Sequence, residues 1–148
     1  MKKAVIFFTL ISITYIGCNS NDDSSNGNLQ INQQNLLGKW YLKGGTVNGG
    51  SFENYQHDCS SLKDYQEFFS NHELKFNDYN SDCELNNFNT SNWVLSGNAL
   101  TVSNPQFDPM IYEYNYIILS LTSEQLILKQ TATTPNGVED FESYFTRN

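Results

Sequence analysis

Asn92-Trp93-Val94-Leu95-Ser96-Gly97-Asn98-Ala99-Leu100-Thr101-Val102-Ser103 is the stretch from which the fold is read. Trp93 and Leu95 precede Gly97-Asn98, Leu100 and Val102 follow it, and each pair is spaced by two. That period suits a strand with one buried face. Gly and Asn both tolerate positive φ, so Gly97-Asn98 suits a tight two-residue hairpin turn. The stretch predicts antiparallel strands over 92–96 and 99–103.

The same pattern extends in both directions. Gly38–Val47 puts Trp40 and Leu42 on one face, Tyr41 and Lys43 on the other. Runs 65–69 and 73–79 are joined by Ser70-Asn71-His72, and Leu74 and Phe76 alternate with Glu73, Lys75 and Asn77. Runs 111–121, 125–130 and 138–146 bring the strands to eight, with turns at Ser123-Glu124 and Thr134-Pro135-Asn136-Gly137. Ser61 and Asp64 have capping-box spacing, so 60–64 is the one place where a helical turn competes. Connections are short and no βαβ rhythm appears. The expected class is all-β: an eight-stranded antiparallel up-and-down barrel, which leaves no free edge, with a sandwich as the alternative.

The first 35 residues read differently. Met1-Lys2-Lys3 is a basic start, Ala4 to Gly17 is fourteen largely apolar residues, and Cys18 follows Gly17. That is the layout of a secretory signal, too short for a bilayer span of about 20 residues. The Gly17-Cys18 junction resembles the lipobox of bacterial lipoproteins, which implies cleavage after residue 17 and lipid on Cys18. Tyr15 departs from that pattern, where an aliphatic residue is usual. Residues 19–35 are rich in Asn and Ser, with only Leu29 and Ile31 to bury, and read as a flexible tether. Asn21-Asp22-Asp23 resembles the acidic export signal of surface lipoproteins; an ordinary solvated linker reads the same. The expected organisation is a signal peptide over 1–17, lipidated Cys18 and tether over 18–35, and the barrel over 36–148. It places a monomeric protein in the bacterial cell envelope, anchored in the outer membrane and exposed at the surface.

Charge and cysteines narrow the function. The chain carries a formal charge of −8, and losing Lys2 and Lys3 with the signal makes it −10. A domain so acidic suits neither nucleic acid nor anionic membrane surfaces. Three cysteines are an odd number for an exported chain. With Cys18 lipidated, Cys59 and Cys83 remain as a pair for a disulfide. Zinc held with His57 and His72 is the rival, but C-x-x-C and H-x-x-x-H spacings are absent. Asp78-x-Asn80-x-Asp82 begins like a calcium loop, then puts Cys83 where Gly belongs and Asn89 where Glu belongs. A turn explains it better. His57 and His72 fall in polar segments and read as exposed loop residues. No G-x-S-x-G, H-E-x-x-H, Walker or G-x-G-x-x-G motif occurs. No enzyme, metal or cofactor is expected.

Taken in order, Leu37-Gly38-Lys39-Trp40, Cys59, Leu62-Lys63-Asp64-Tyr65, Glu67-Phe68, Phe76, Cys83, the 93–100 hairpin and Leu126-Ile127-Leu128 resemble the lipocalin-like lipoproteins of Bacteroidota. The resemblance spans about residues 36–147. It implies a barrel and a small hydrophobic ligand. Gly38-Lys39-Trp40 is also similar to the G-x-W opening of true lipocalins, whose Trp closes one barrel end beneath an Arg that follows the last strand. Arg147 stands in that place.

Two functions stay open on the sequence. One is a carrier or sensor with a ligand in the lumen, for which Trp40, Phe68, Phe76, Trp93, Tyr114 and Tyr116 are the candidate binding residues. Tyr112, Tyr114 and Tyr116 share one strand face, opposite in parity to Ile111, Ile117 and Leu119. That face is either a binding wall or an ordinary packed face. The other function is a ligand-free surface module that binds protein or glycan by its loops or outer face. Large residues at the alternating positions, from Trp40 to Leu128, predict a largely filled barrel. They leave a shallow cavity at the open end beside Trp93.

Overall fold

The computed structural model describes residues 27–104 and 112–148. The signal, Cys18, most of the tether and Ile111 lie outside the described residues. A short helix, α1 (Gln33–Leu36), precedes nine strands: β1 (Gly38–Val47), β2 (Glu53–Asn54), β3 (Tyr65–Phe68), β4 (Glu73–Tyr79), β5 (Leu85–Ser96), β6 (Ala99–Asn104), β7 (Tyr112–Leu121), β8 (Gln125–Thr134) and β9 (Gly137–Thr146). From β3 to β9 each strand pairs antiparallel with the next; β1 pairs with β3 on one side and β9 on the other. The expected eight-stranded barrel is therefore closed. The two-residue β2 is an addition, and it lies against β1 at Gly44 and Gly45.

The deciding hairpin forms as read. Ser96 faces Ala99 and Leu95 faces Leu100, with Gly97 at φ +61° in the turn. Three strands outrun their sequence signal. β5 starts at Leu85, although 85–91 (LNNFNTS) lacks apolar alternation, because the ladder to β4 is made by the backbone. β8 and β9 lengthen through Thr131–Thr134 to the turn before Gly137 for the same reason. The 60–64 segment is a bend and not a helical turn.

One end is plugged. Trp40, Phe68, Leu74, Trp93, Leu100, Ile118, Leu121 and Leu126 are buried there beneath Leu36. This corrects two expectations for the segment before β1. A one-turn helix is present, capped by the Asn32 side chain, which accepts from the Asn35 N–H. Residues 28–35 also dock instead of dangling. Leu29 N–H donates to Leu121 O (2.6 Å), Ser120 Oγ donates to Asn28 Oδ1, and Leu29 and Ile31 pack on the core. Two apolar residues in a polar run gave too little signal to show it.

Arg147 seals the plug. Its guanidinium lies 3.9 Å from the Trp40 ring centroid and donates to Leu37 O and Asn35 O, both at 2.8 Å. Trp40 Nε1–H donates to Leu36 O (2.8 Å). Gly38 makes room for this: its φ is +100°, and a Cβ there would sit 2.9 Å from Arg147 Nη1. The Gly-x-Trp opening and the late arginine are thus one assembly.

Candidate ligand site in the barrel lumen

The opposite end is the mouth. Burial along β7 falls toward it: Ile118 is buried, Tyr116 half-buried, and Tyr114 45 % exposed. Register fixes the direction of this face, because Tyr116 lies opposite Leu100 and Tyr114 opposite Val102, both buried. Residues paired across antiparallel strands share a face. Tyr114 and Tyr116 on β7 therefore look into the barrel. Ile117 and Leu119 are on the outside and exposed.

Between the plug and the mouth lies a cavity of about 230 Å³, mostly apolar. Its wall is made by Leu42 on β1, Gln66 on β3, Phe76 on β4, Tyr116 on β7, Leu128 on β8 and Phe145 on β9. A second, more open concavity of about 630 Å³ lies at the rim between β1, β9 and the segment around β2, and shares Leu42 and Ser143 with the first. We treat it as a vestibule. Gly44 allows it, since a Cβ there would run into Glu53 O and the Phe52 ring.

Polar groups cluster on the β3–β4 side. Asp64, nearly buried, accepts from Tyr79 N–H (2.9 Å), and its own N–H donates to His57 Nδ1 (3.0 Å). Burial, and after it the hydrogen bond to Asp64, pushes the Tyr55 hydroxyl up to about 12. Burial raises the Tyr116 hydroxyl as well. His57 is thereby half-buried against the Tyr55 ring, which corrects its reading as an exposed loop residue. His72 is exposed, against the Trp93 ring. Asn80 caps the turn after β4 by accepting from Asp82 and Glu84 N–H, so the calcium-like stretch is a turn. The expected disulfide joins Cys59 and Cys83. It ties the β1–β3 connection to the β4–β5 turn at the mouth rim.

The six candidate binding residues divide. Phe76 and Tyr116 line the cavity, and Tyr114 stands above them on the same inward face at the mouth. Trp40, Phe68 and Trp93 belong to the plug. Trp93 packs edge-on against Phe68 and donates its Nε1–H to Glu73 O (3.0 Å). The cavity is therefore not beside Trp93, as expected, because that ring is spent on closing the other half. Sequence reasoning missed Gln66, Asp64, Asp78, Ser143 and Phe145. The signal was available for Gln66, which has the parity of the buried Phe68, but a polar side chain at an inward position reads as an interruption.

The sequence profile of the lipocalin-like domain matches residues 36–128. Among solved structures the chain is similar to a lipocalin-like protein from Bacteroides uniformis, at 17 % identity and TM-score 0.56, covering 77 % of this chain and 99 % of that one. An uncharacterized protein from Bacteroides eggerthii gives 10 % and 0.57, with 76 % and 99 % covered. Lobster apocrustacyanin A1 gives 16 % and 0.52, with 79 % and 63 % covered. At these identities the likeness concerns the fold. No curated protein sequence is significantly similar.

Proposed function

We propose, from the premise that this chain belongs to the lipocalin-like domain family, that it is a non-enzymatic binding module for a small apolar molecule held in the lumen. The observation that carries the reading is the cavity of about 230 Å³, walled by Leu42, Phe76, Tyr116, Leu128 and Phe145 in a barrel plugged at its other end. Small-molecule sites are concave and mainly apolar, with a few polar groups to orient the ligand. This one is smaller than the roughly 300 Å³ at which drug-sized sites begin, so the occupant is small. The Gly17-Cys18 junction and the basic, apolar start support a lipid anchor on Cys18. Asn21-Asp22-Asp23, close behind that cysteine, adds support for a place in the cell envelope, at the outer membrane and facing outward.

The test is titration of a hydrophobic fluorescent probe against the mature chain carrying Cys18→Ala, with displacement by small apolar compounds. Stoichiometric, displaceable binding is expected, and Ser143→Phe, which puts a ring into the cavity, should abolish it. Binding unchanged in a folded Ser143→Phe variant refutes a lumen site.

The alternative, a surface module, is favoured by one observation. Tyr41, Tyr65 and Tyr79 group on the outer wall with Lys39 and Lys63 around an open concavity of about 430 Å³. Lys39 Nζ lies 4.3 Å from the Tyr65 ring centroid. Rings flanked by cations suit an acidic glycan. Absence of any lumen ligand, with glycan binding lost in Tyr65→Ala, would put this reading first.

A further inference from the structure

The polar groups around the lumen are one-sided in charge, and one of them is unfinished. Gln66 is 5 % exposed and lines the cavity, yet its Nε2 has no hydrogen-bond partner among the described residues. A buried donor left unpaired bears the full cost of its lost hydration, so an occupant that accepts a hydrogen bond there restores what burial removed. Asp64 and Asp78 line the same cavity, and Glu53 and Glu142 line the vestibule. No Lys, Arg or His lines either space among the described residues. Asp64 is occupied by Tyr79 N–H, by Tyr55 and by His57 Nδ1 (3.2 Å), whereas no hydrogen bond or ion pair holds the Asp78 carboxylate among the described residues.

Geometry orders these groups. Gln66 faces Phe76 across the β3–β4 ladder, and Asp78 is two residues further along β4 toward the mouth. Two residues of strand are about 7 Å. A donor therefore lies level with the Phe76 ring, and a carboxylate about 7 Å above it. At about 230 Å³ the cavity is somewhat larger than the roughly 150 Å³ that takes a benzene, which suits one ring with a short side chain. A carboxylate ligand would meet like charge at every step inward. A long acyl chain would leave much of its length outside.

We propose that the lumen takes a protonated arylalkylamine whose ring carries a hydrogen-bond acceptor. The ring packs among Phe76, Tyr116 and Phe145, its oxygen accepts from Gln66 Nε2, and its ammonium meets Asp78. The negative net charge draws such a cation toward the mouth. This rests on the lumen reading above and names the ligand class for that site.

The experiment is calorimetric titration of the mature chain carrying Cys18→Ala with tyramine, phenethylamine, 3-(4-hydroxyphenyl)propanoate, 4-ethylphenol and palmitate. Tyramine is expected to bind at least tenfold tighter than the propanoate, which differs by carrying a carboxylate in place of the ammonium. Asp78→Asn should erase that preference. Gln66→Leu should weaken tyramine severalfold while sparing phenethylamine, which lacks the ring oxygen. Far-ultraviolet circular dichroism and thermal melts check that both variants fold. Equal or tighter propanoate binding, or a preference that survives Asp78→Asn, overturns the proposal. If 4-ethylphenol or palmitate displaces the fluorescent probe while tyramine does not, the lumen site stands and the ligand class falls. If none of the five binds or displaces it, both fall.

Discussion

Arg147→Ala removes a guanidinium from the Trp40 ring and deletes two hydrogen bonds, to Leu37 O and Asn35 O. Hydrogen bonds from a charged donor are worth about 1.5–3 kcal/mol each, and the ring contact adds about 0.5–2 kcal/mol. The simple sum overstates the effect, because truncation lets water reach both carbonyls. A loss of about 2–4 kcal/mol remains, which for a domain of this size lowers Tm by roughly 8–16 °C. The assay is urea unfolding of the oxidised mature chain, followed by tryptophan fluorescence, since Trp40 reports directly on the seal. Arg147→Lys separates the parts of the interaction. It keeps the charge but loses the planar fork that reaches two carbonyls at once, so it should recover less than half of the loss. If Arg147→Ala unfolds within about 0.5 kcal/mol of the parent, ordinary for a surface change, the seal contributes nothing and the argument built on it fails.

Three further outcomes are expected. Replacing Cys59 and Cys83 with Ala removes a cross-link across a separation of 24 residues; chain-entropy reasoning puts the cost at about 3.5 kcal/mol, readable as a fall in the urea midpoint, and an unchanged midpoint refutes it. Tyr55, raised to about 12 by burial and the Asp64 hydrogen bond, favours the folded state while protonated. Its contribution is complete below the ordinary tyrosine value near 10 and is lost as pH rises toward 12. The difference between alkaline absorbance titrations of the parent and Tyr55→Phe should centre near 12, and a centre near 10 contradicts the assignment. Cys18→Ala should move the protein from the membrane fraction to the soluble one after detergent-free lysis; if it still sediments with membranes, the anchor lies elsewhere.

The barrel was legible because its inward positions obey a period of two wherever the core is dry. Trp93, Leu95, Leu100 and Val102 announce their strands, and the Gly97 turn sets their register. Legibility falls off toward the mouth, where positions lining the lumen turn polar or aromatic, as Gln66, Asp78 and Tyr116 do. For that reason Phe76 and Tyr116 were identifiable as site residues while Gln66, Asp64 and Ser143 were not. Their side chains gain meaning only from the residues across the lumen. Trp40 and Trp93 illustrate the reverse error. Large aromatics suggest binding by their type, yet these two are consumed in the plug, and one-dimensional patterning does not say which half of a strand is plugged. The inward face of β7 likewise needed the opposing Leu100 and Val102 to settle it.

The docking of residues 28–36 has a directional consequence. They cross the plugged end, from Leu121 to the β3–β4 turn, where Gln33 Nε2 donates to Ser70 O. Only eight residues lie between Cys18 and Gly27, a span of at most about 30 Å even when fully drawn out. A lipid on Cys18 would thus moor the barrel like a buoy, sealed base toward the bilayer and opening toward the medium. Cargo would then be exchanged with the surrounding water instead of being drawn sideways out of the lipid leaflet, and the acidic vestibule would be the first surface it meets.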